Sequence, residues 1–161
     1  GFTSSLIRAK ETLRICLESM GLQETAVHIN DAIIEKHFGK DEGETAEVYS
    51  ETTKKETAET AKLSWDEKFV YKVYPQDPKF ESLSQVSQRV LKFLVEERAP
   101  GNYLVSTHKV VKKAQLMGLL KQSGIEVGYR SFDLKNCSVF VIEVGKDKTP
   151  RLVAATGLEI K

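Results

Sequence analysis

The chain has 161 residues, of which 40% are hydrophobic and 29% are charged, a composition typical of globular proteins. This length predicts one domain, or one domain with a helical extension. The sequence holds neither a run of about 18 apolar residues nor a basic and apolar leader. We therefore expect no membrane span and no secretory signal, and a soluble protein of the cytoplasm or another reducing compartment. Two cysteines are too few for a disulfide framework.

Charge is distributed unevenly along the chain. Residues 1–66 carry a net charge of −5 and residues 67–161 a net charge of +6. A surplus of this size also arises from chance and from the needs of solubility. If it is functional, it predicts that the C-terminal part contacts an anionic partner.

The first 39 residues predict a helical hairpin. Apolar residues recur at spacings of three and four over 4–20, as in Leu13 and Leu17, and Gly21 is placed to end that helix. A second helix is predicted from about residue 24 to residue 38, with Gly39 at its end. Such a hairpin must bury its apolar stripe against another surface.

Residues 40–64 differ from their surroundings because Glu, Thr, Lys and Ala dominate them. Such a segment buries too little apolar surface to offset its ordering entropy, which favours a flexible acidic linker or a long loop. An exposed helix rich in Ala, Glu and Lys is the alternative, although the many threonines weaken its helix propensity.

Residues 65–161 predict a mixed α/β domain. The predicted elements are a strand over 69–74, a helix from the capping-box pair Ser82–Gln85 to about 98, a strand at 103–106, a helix over 107–122, and strands at 125–129, 139–144 and 152–155, with a turn at 133–136. The unit over 103–129 should place two parallel strands around a crossover helix. The fold class is therefore α/β (α+β), with a mixed sheet and packed helices preceded by the helical hairpin.

The most informative local feature is a basic cluster where a predicted strand gives way to a helix. Free backbone N–H groups and the helix dipole make such a corner a natural anion site. Lysines in the first turns oppose that dipole, at a cost that a bound anion would reverse. A solvated charged face is the alternative. The candidate ligand-binding residues are Ser106, Thr107, His108, Lys109, Lys112, Lys113 and Lys121.

Recognised catalytic patterns are absent from the sequence. It holds no GxxxxGK[ST], GxGxxG, HExxH or GxSxG. His28 and Asp31 have ligand spacing but lack a third partner, and Cys16 and Cys137 are interpreted as inert thiols. We therefore expect no metal, no cofactor and no enzymatic activity.

Three stretches resemble parts of histidyl-tRNA synthetase-like proteins. Residues 1–8, GFTSSLIR, are similar to the GF[ST]xGLER signature, with Gly1, Phe2, Thr3, Leu6 and Arg8 matching. Residues 103–127 and 139–145 are similar to parts of the anticodon-binding domain. A rival resemblance is to the second RecA-like domain of DEAD/DEAH-type helicases, to which residues 103–127 and 151–156 are similar. Either family implies a nucleic-acid contact at 106–113 and leaves no complete active site in this chain.

The resulting hypothesis is a non-catalytic module that binds RNA or another phosphate-bearing ligand. Lys109, Lys112, Lys113 and Lys121 would neutralise phosphates, while Ser106 and Thr107 would donate hydrogen bonds. The alternative is a protein-interaction or oligomerisation module that docks through residues 1–38 on a protein partner or a second copy.

Overall fold

Helices pack beside a short parallel sheet and a long β-ribbon in this computed structural model, which describes residues 1–96 and 99–160. Its elements are β1 Phe2–Thr3, α1 Ile7–Ser19, β2 His28–Ile29, 3-10 turns at Asp31–Ile33 and Gly39–Asp41, α2 Ala46–Thr60, α3 Trp65–Val70, α4 Leu83–Val95, β3 Val105–Ser106, α5 Lys109–Gln122, β4 Phe132–Val144 and β5 Pro150–Ile160.

The parallel sheet has the strand order β2-β1-β3. Phe2 pairs with His28 on one side and with Val105 on the other. Because the three strands are parallel, the segments that follow them emerge at one edge, and both α1 and α5 begin there. β4 and β5 form a separate antiparallel ribbon.

The hydrophobic core lies between the helices α4 and α5 and the ribbon. Val86 and Val90 of α4 pack against Val111 and Ala114 of α5. α4 and α5 approach closely enough that a Cβ on Gly118 would collide with the Ser87 hydroxyl. A second cluster joins α3, α5 and β4 through the buried side chains Phe69, Leu116, Met117, Phe132 and Leu134. These contacts hold α5, and with it the edge of the sheet, in one orientation.

The predicted fold class, a mixed α/β fold with a parallel sheet and packed helices, is confirmed. α4 and α5 lie where their periodicity predicts them, and the end of α4 predicted near position 98 falls outside the described residues. The strands predicted at 139–144 and 152–155 belong to β4 and β5. The predicted division of the chain into segments 1–39, 40–64 and 65–161 stays a prediction.

The parallel strand–helix–strand unit is placed differently from the prediction. β3 pairs in parallel with β1, whereas residues 125–129 form no strand. The turn predicted over 133–136 is wrong as well, because these residues lie inside β4. β4 contains an irregularity between Leu134 and Val139, and this explains why its sequence does not alternate regularly.

Two further elements differ because tertiary contacts override local patterns. Residues 24–38 do not form the second helix of a hairpin, since His28–Ile29 pairs with β1 instead. The strand predicted at 69–74 is wrong, because the Ser64–Glu67 capping box starts α3 at Trp65.

Residues 46–60 form α2, where a flexible linker was expected. Polar contacts help to hold this helix, beside the edge-on packing of Tyr49 against Phe38. The Thr52 hydroxyl donates to Asp41 at 2.6 Å, and Lys36 pairs with Glu56 at 3.9 Å. The alternative of a largely exposed Ala/Glu/Lys helix therefore describes this segment better than a loop.

Within residues 1–96 and 99–160, every helix is too short or too polar to cross a membrane.

Candidate functional site

Polar and charged side chains from four parts of the chain gather at the edge where the parallel strands end. Ser4 follows β1, and Arg8 lies in the first turn of α1. Glu35 belongs to the segment after β2, Arg89 to α4, and His108 directly precedes α5. In open α/β sheets, the carboxyl ends of parallel strands are where ligands bind.

His108 is buried at this edge and is bonded to a fully buried serine. Its Nε2 lies 2.8 Å from the Ser4 hydroxyl, and only 6% of the residue is exposed. Burial lowers the pKa of His108 to about 4, and the positive charges of Arg8 and Arg89 contribute in the same direction. The imidazole is therefore neutral at neutral pH.

The two helices that start at this edge have N-cap residues whose side chains do not cap the N-terminal amides. Neither the Leu6 position before α1 nor the His108 position before α5 carries a capping hydrogen bond, and neither first turn contains an acidic residue. α3 and α4, by contrast, both begin with a complete capping box. Uncapped amides and the dipoles of two helices favour an anion between them.

Arg8 adds a full positive charge to this edge. Its side chain is exposed, yet its charge acts on both His108 and Glu35. Among the described residues, no group accepts a hydrogen bond from its guanidinium. An arginine so placed can bind two oxygens of a phosphate or carboxylate at once.

Glu35 brings an acid to the same edge. Burial raises the pKa of the Glu35 carboxyl, against the opposing effects of the Lys36 amide, the charges of Arg8 and Arg89, and the Val111 amide in the first turn of α5. A carboxyl with a raised pKa keeps its proton to higher pH and can donate it to a departing group.

The backbone that carries Glu35 is held by side chains from other elements. Arg89 donates to the carbonyl oxygens of Ala32 and Glu35 at 2.8 and 3.2 Å, and the Thr107 hydroxyl donates to the Ile33 oxygen at 2.7 Å. The segment after β2 is thereby tied to α4 and to the corner that carries His108.

Taken together, these groups suit chemistry on a phosphate ester. Arg8 and the two helix N-termini stabilise negative charge, neutral His108 can share a proton with an oxygen, and Glu35 can supply one.

The structure brings three of the predicted ligand-binding residues to this edge. Ser106 ends β3, Thr107 anchors the Glu35 segment, and His108 lies at the centre of the site. Their contact with a ligand stays a prediction.

The four predicted lysines point to other partners. Lys109 pairs with Asp133 at 2.8 Å, and Lys112 donates to the Ser138 carbonyl at 2.7 Å. The buried Lys113 lies 4.0 Å from the centre of the Tyr129 ring, and Lys121 pairs with Asp66. An anion would have to compete with these contacts, and binding of a ligand by the four lysines stays a prediction.

Sequence reasoning missed four residues of the site. Ser4 and Arg8 lie within the stretch compared with a synthetase signature, and Glu35 and Arg89 lie within predicted helices without a motif that singles them out. A strand of two residues, Phe2–Thr3, carries no alternation that could have revealed the strand–loop–helix corner before Arg8.

Comparisons with known proteins agree with this geometry. The family model of the histidine phosphatase superfamily (branch 1) matches residues 1–156. A 2,3-bisphosphoglycerate-dependent phosphoglycerate mutase 2 of Gloeobacter violaceus is 32% identical over 127 residues, which cover 73% of this chain and 52% of that protein. The chain thus spans about half the length of this curated relative.

Solved structures show the same fold at low identity. A phosphoglycerate mutase of Bacillus anthracis matches with a TM-score of 0.69 at 23% identity, over 97% of this chain and 70% of the other. A mycobacterial glucosyl-3-phosphoglycerate phosphatase solved with inorganic phosphate matches with a TM-score of 0.59 at 21% identity, over 95% and 74%.

These matches correct the expectations about family and function. The resemblances to a synthetase anticodon-binding domain and to a helicase domain are wrong, because the similarity to phosphatases and mutases extends over nearly the whole chain. The predictions of a non-catalytic RNA-binding module and of no enzymatic activity are wrong for the same reason, and the docking alternative is not favoured. The coarser prediction of a phosphate-bearing ligand agrees with this family.

Proposed function

Since this chain belongs to the histidine phosphatase superfamily, branch 1, we propose that its site acts on a phosphate monoester by hydrolysis or by transfer of the phosphoryl group. One observation carries this proposal: a buried, neutral His108 lies beside the Arg8 charge and the Glu35 acid at the end of a parallel sheet.

Arg8 and His108 would bind the phosphoryl group. The guanidinium of Arg8 supplies two parallel N–H donors, which match two phosphoryl oxygens. An approaching dianion raises the pKa of His108, so the imidazole donates its hydrogen bond more strongly to the third oxygen. The charge that develops on these oxygens in the transition state is stabilised by groups that are already in place.

Glu35 would act on the leaving group. In hydrolysis, a water oxygen forms a bond to phosphorus while the bond to the ester oxygen breaks. The protonated carboxyl of Glu35 transfers its proton to the ester oxygen, so that an alcohol leaves instead of an alkoxide. In a mutase reaction, a second hydroxyl takes the place of water as the acceptor.

A phosphorylated hydroxy acid is the substrate class that we propose first. The relatives described above include phosphoglycerate mutases and a glucosyl-3-phosphoglycerate phosphatase, and each of these names contains a phosphoglycerate unit. 3-Phosphoglycerate is therefore the first substrate to test.

The test combines phosphate binding with turnover in the full 161-residue chain. We expect inorganic phosphate to broaden and shift in ³¹P NMR on addition of the protein, and 3-phosphoglycerate to release phosphate. Arg8→Ala should lower kcat/KM roughly 10²–10³-fold, and Glu35→Gln should lower kcat roughly 10²–10⁴-fold.

Arg14→Ala is the matched control, because Arg14 lies on the same helix and pairs with the exposed Glu11 and Glu18. Its activity should equal that of the parent protein. Equal losses in Arg8→Ala and Arg14→Ala, or neither phosphate binding nor turnover in the parent protein, would contradict the proposal.

A further inference from the structure

Arg89 makes the densest set of hydrogen bonds near the site, although its side chain belongs to a core helix. We propose that Arg89 is a positioning residue, which together with Glu81 holds the Glu35 carboxyl over the phosphate site. This inference rests on the proposed function and extends it to a residue that need not contact substrate.

Four N–H groups of the Arg89 guanidinium hold other groups. Its Nε and Nη2 donate to the two Glu81 carboxylate oxygens at 2.8 and 2.9 Å. Its Nη1 donates to the Ala32 carbonyl oxygen, and Nη2 also donates to the Glu35 carbonyl oxygen. The side chains of Arg89 and Glu81 are only 20% and 16% exposed, so this bidentate pair has little water to compete with it.

The Glu35 segment has no regular structure of its own to hold it. After the 3-10 turn at Asp31–Ile33, residue 34 is extended, and the carbonyls of residues 32, 33 and 35 are satisfied by the side chains of Arg89 and Thr107. Without Arg89, two of these carbonyls lose their donor, and the described hydrogen bonds that still direct the Glu35 side chain come from the amides of Lys36 and Val111.

Electrostatics point to the same role. The charged and titratable groups that act with Glu35 are Arg8 from α1, Arg89 from α4, the Lys36 ammonium and Tyr129, together with the Val111 amide of α5. Burial nevertheless keeps the pKa of Glu35 above its ordinary value. Glu35 stays buried only while its segment packs against the neighbouring helices. The raised pKa of Glu35 therefore depends on the hydrogen bonds by which Arg89 holds this segment.

The first readout is the dependence of activity on the leaving group. In Arg89→Met, we expect kcat for 3-phosphoglycerate to fall roughly 10²-fold and kcat for 4-nitrophenyl phosphate to change no more than a few-fold, because 4-nitrophenolate leaves without a proton. KM should change little, since Arg8 and His108 remain. A loss of equal size with both substrates would assign Arg89 a general structural role and overturn the proposal.

The control is Lys92→Met, which removes the same charge from an exposed position on the same helix and should leave both substrates unaffected. Removing Arg89 alone leaves Glu81 buried without its partner, which destabilises the fold. The double variant Arg89→Met, Glu81→Gln removes both charges together. The glutamine at position 81 keeps an oxygen that can accept a hydrogen bond from the His37 amide. This double variant should show the same selective loss.

The second readout does not require turnover, and it separates this inference from the proposed function. The Glu35 carboxyl carbon is followed by ¹³C NMR and identified by its absence in Glu35→Gln. Undocking in the double variant should bring the pKa of Glu35 down towards its ordinary value. If Arg89 acts only through its charge, Arg89→Met should raise the pKa of Glu35. The double variant should then leave the pKa of Glu35 nearly unchanged. Either result would overturn the proposal. If the parent protein turns over neither substrate, the proposed function fails, while this titration still decides whether Arg89 positions Glu35.

Discussion

The buried imidazole of His108 predicts a specific loss of stability in mild acid. The pKa of His108 is about 4 in the folded chain, against 6.5 for the free side chain. The unfolded chain therefore takes up a proton between these values that the folded chain excludes, so stability is fully present above pH 6.5 and falls as the pH drops towards 4. The full shift corresponds to roughly 3 kcal/mol, at about 1.4 kcal/mol for each pKa unit.

The assay is urea denaturation of the parent protein and of His108→Gln at a series of pH values. Glutamine keeps a hydrogen-bonding group near Ser4 but does not titrate, so the difference between the two unfolding free energies isolates the proton of His108. This difference should shrink by roughly 3 kcal/mol between neutral pH and about pH 4. Parallel curves over this range would refute the argument that His108 is buried and neutral, and with it the basis of the site.

Other predictions concern the supports of the site and the core. Ser4→Ala leaves the buried His108 nitrogen without its partner, and we expect a loss of about 1–3 kcal/mol in unfolding free energy, measured by urea denaturation. Gly118→Ala should destabilise the α4–α5 contact by about 1–3 kcal/mol, and thermal melting should show partial recovery when Ser87→Gly makes room for the new methyl group. Lys109→Ala should change the affinity for inorganic phosphate by no more than about two-fold relative to the parent protein, because the Lys109 ammonium is already paired with a carboxylate. A larger loss of affinity in a ³¹P NMR titration would show that Lys109 contributes to phosphate binding.

Local patterns were sufficient where a segment satisfies its own backbone and buries one face. The Ser82–Gln85 capping box and the apolar stripe after it predict α4, and both partners of the box are bonded in the structure. The apolar run over 139–144 likewise predicts the later part of β4. In these cases, the interactions that determine the element lie within a few residues of one another.

Patterns failed where distant segments provide the partners. The two-residue strands β1, β2 and β3 exist only because they pair with one another across about 25 and 100 residues of chain. The segment over 24–38 has the apolar spacing of a helix, yet its backbone bonds to β1, Arg89 and Thr107 instead. The sequence of residues 24–38 alone does not indicate these distant partners.

The site shows the same division. The sequence predicts the strand-to-helix corner at Ser106–His108, where free N–H groups of a helix N-terminus favour an anion, and its contact with a ligand stays a prediction. Which of its side chains bind a ligand stays a prediction, and the sequence does not reveal the tertiary partners of its lysines, such as Asp133 for Lys109.

The sequence by itself determined the fold class, the helices α4 and α5 and the strand-to-helix corner before α5, since these follow from periodicity and capping within short windows. Only the tertiary structure decided that Arg8, Glu35 and Arg89 join His108 there, and that the lysines turn to other partners. The physical reason is that burial and charge pairing, which set the protonation of His108 and Glu35, arise from contacts between residues far apart in the chain.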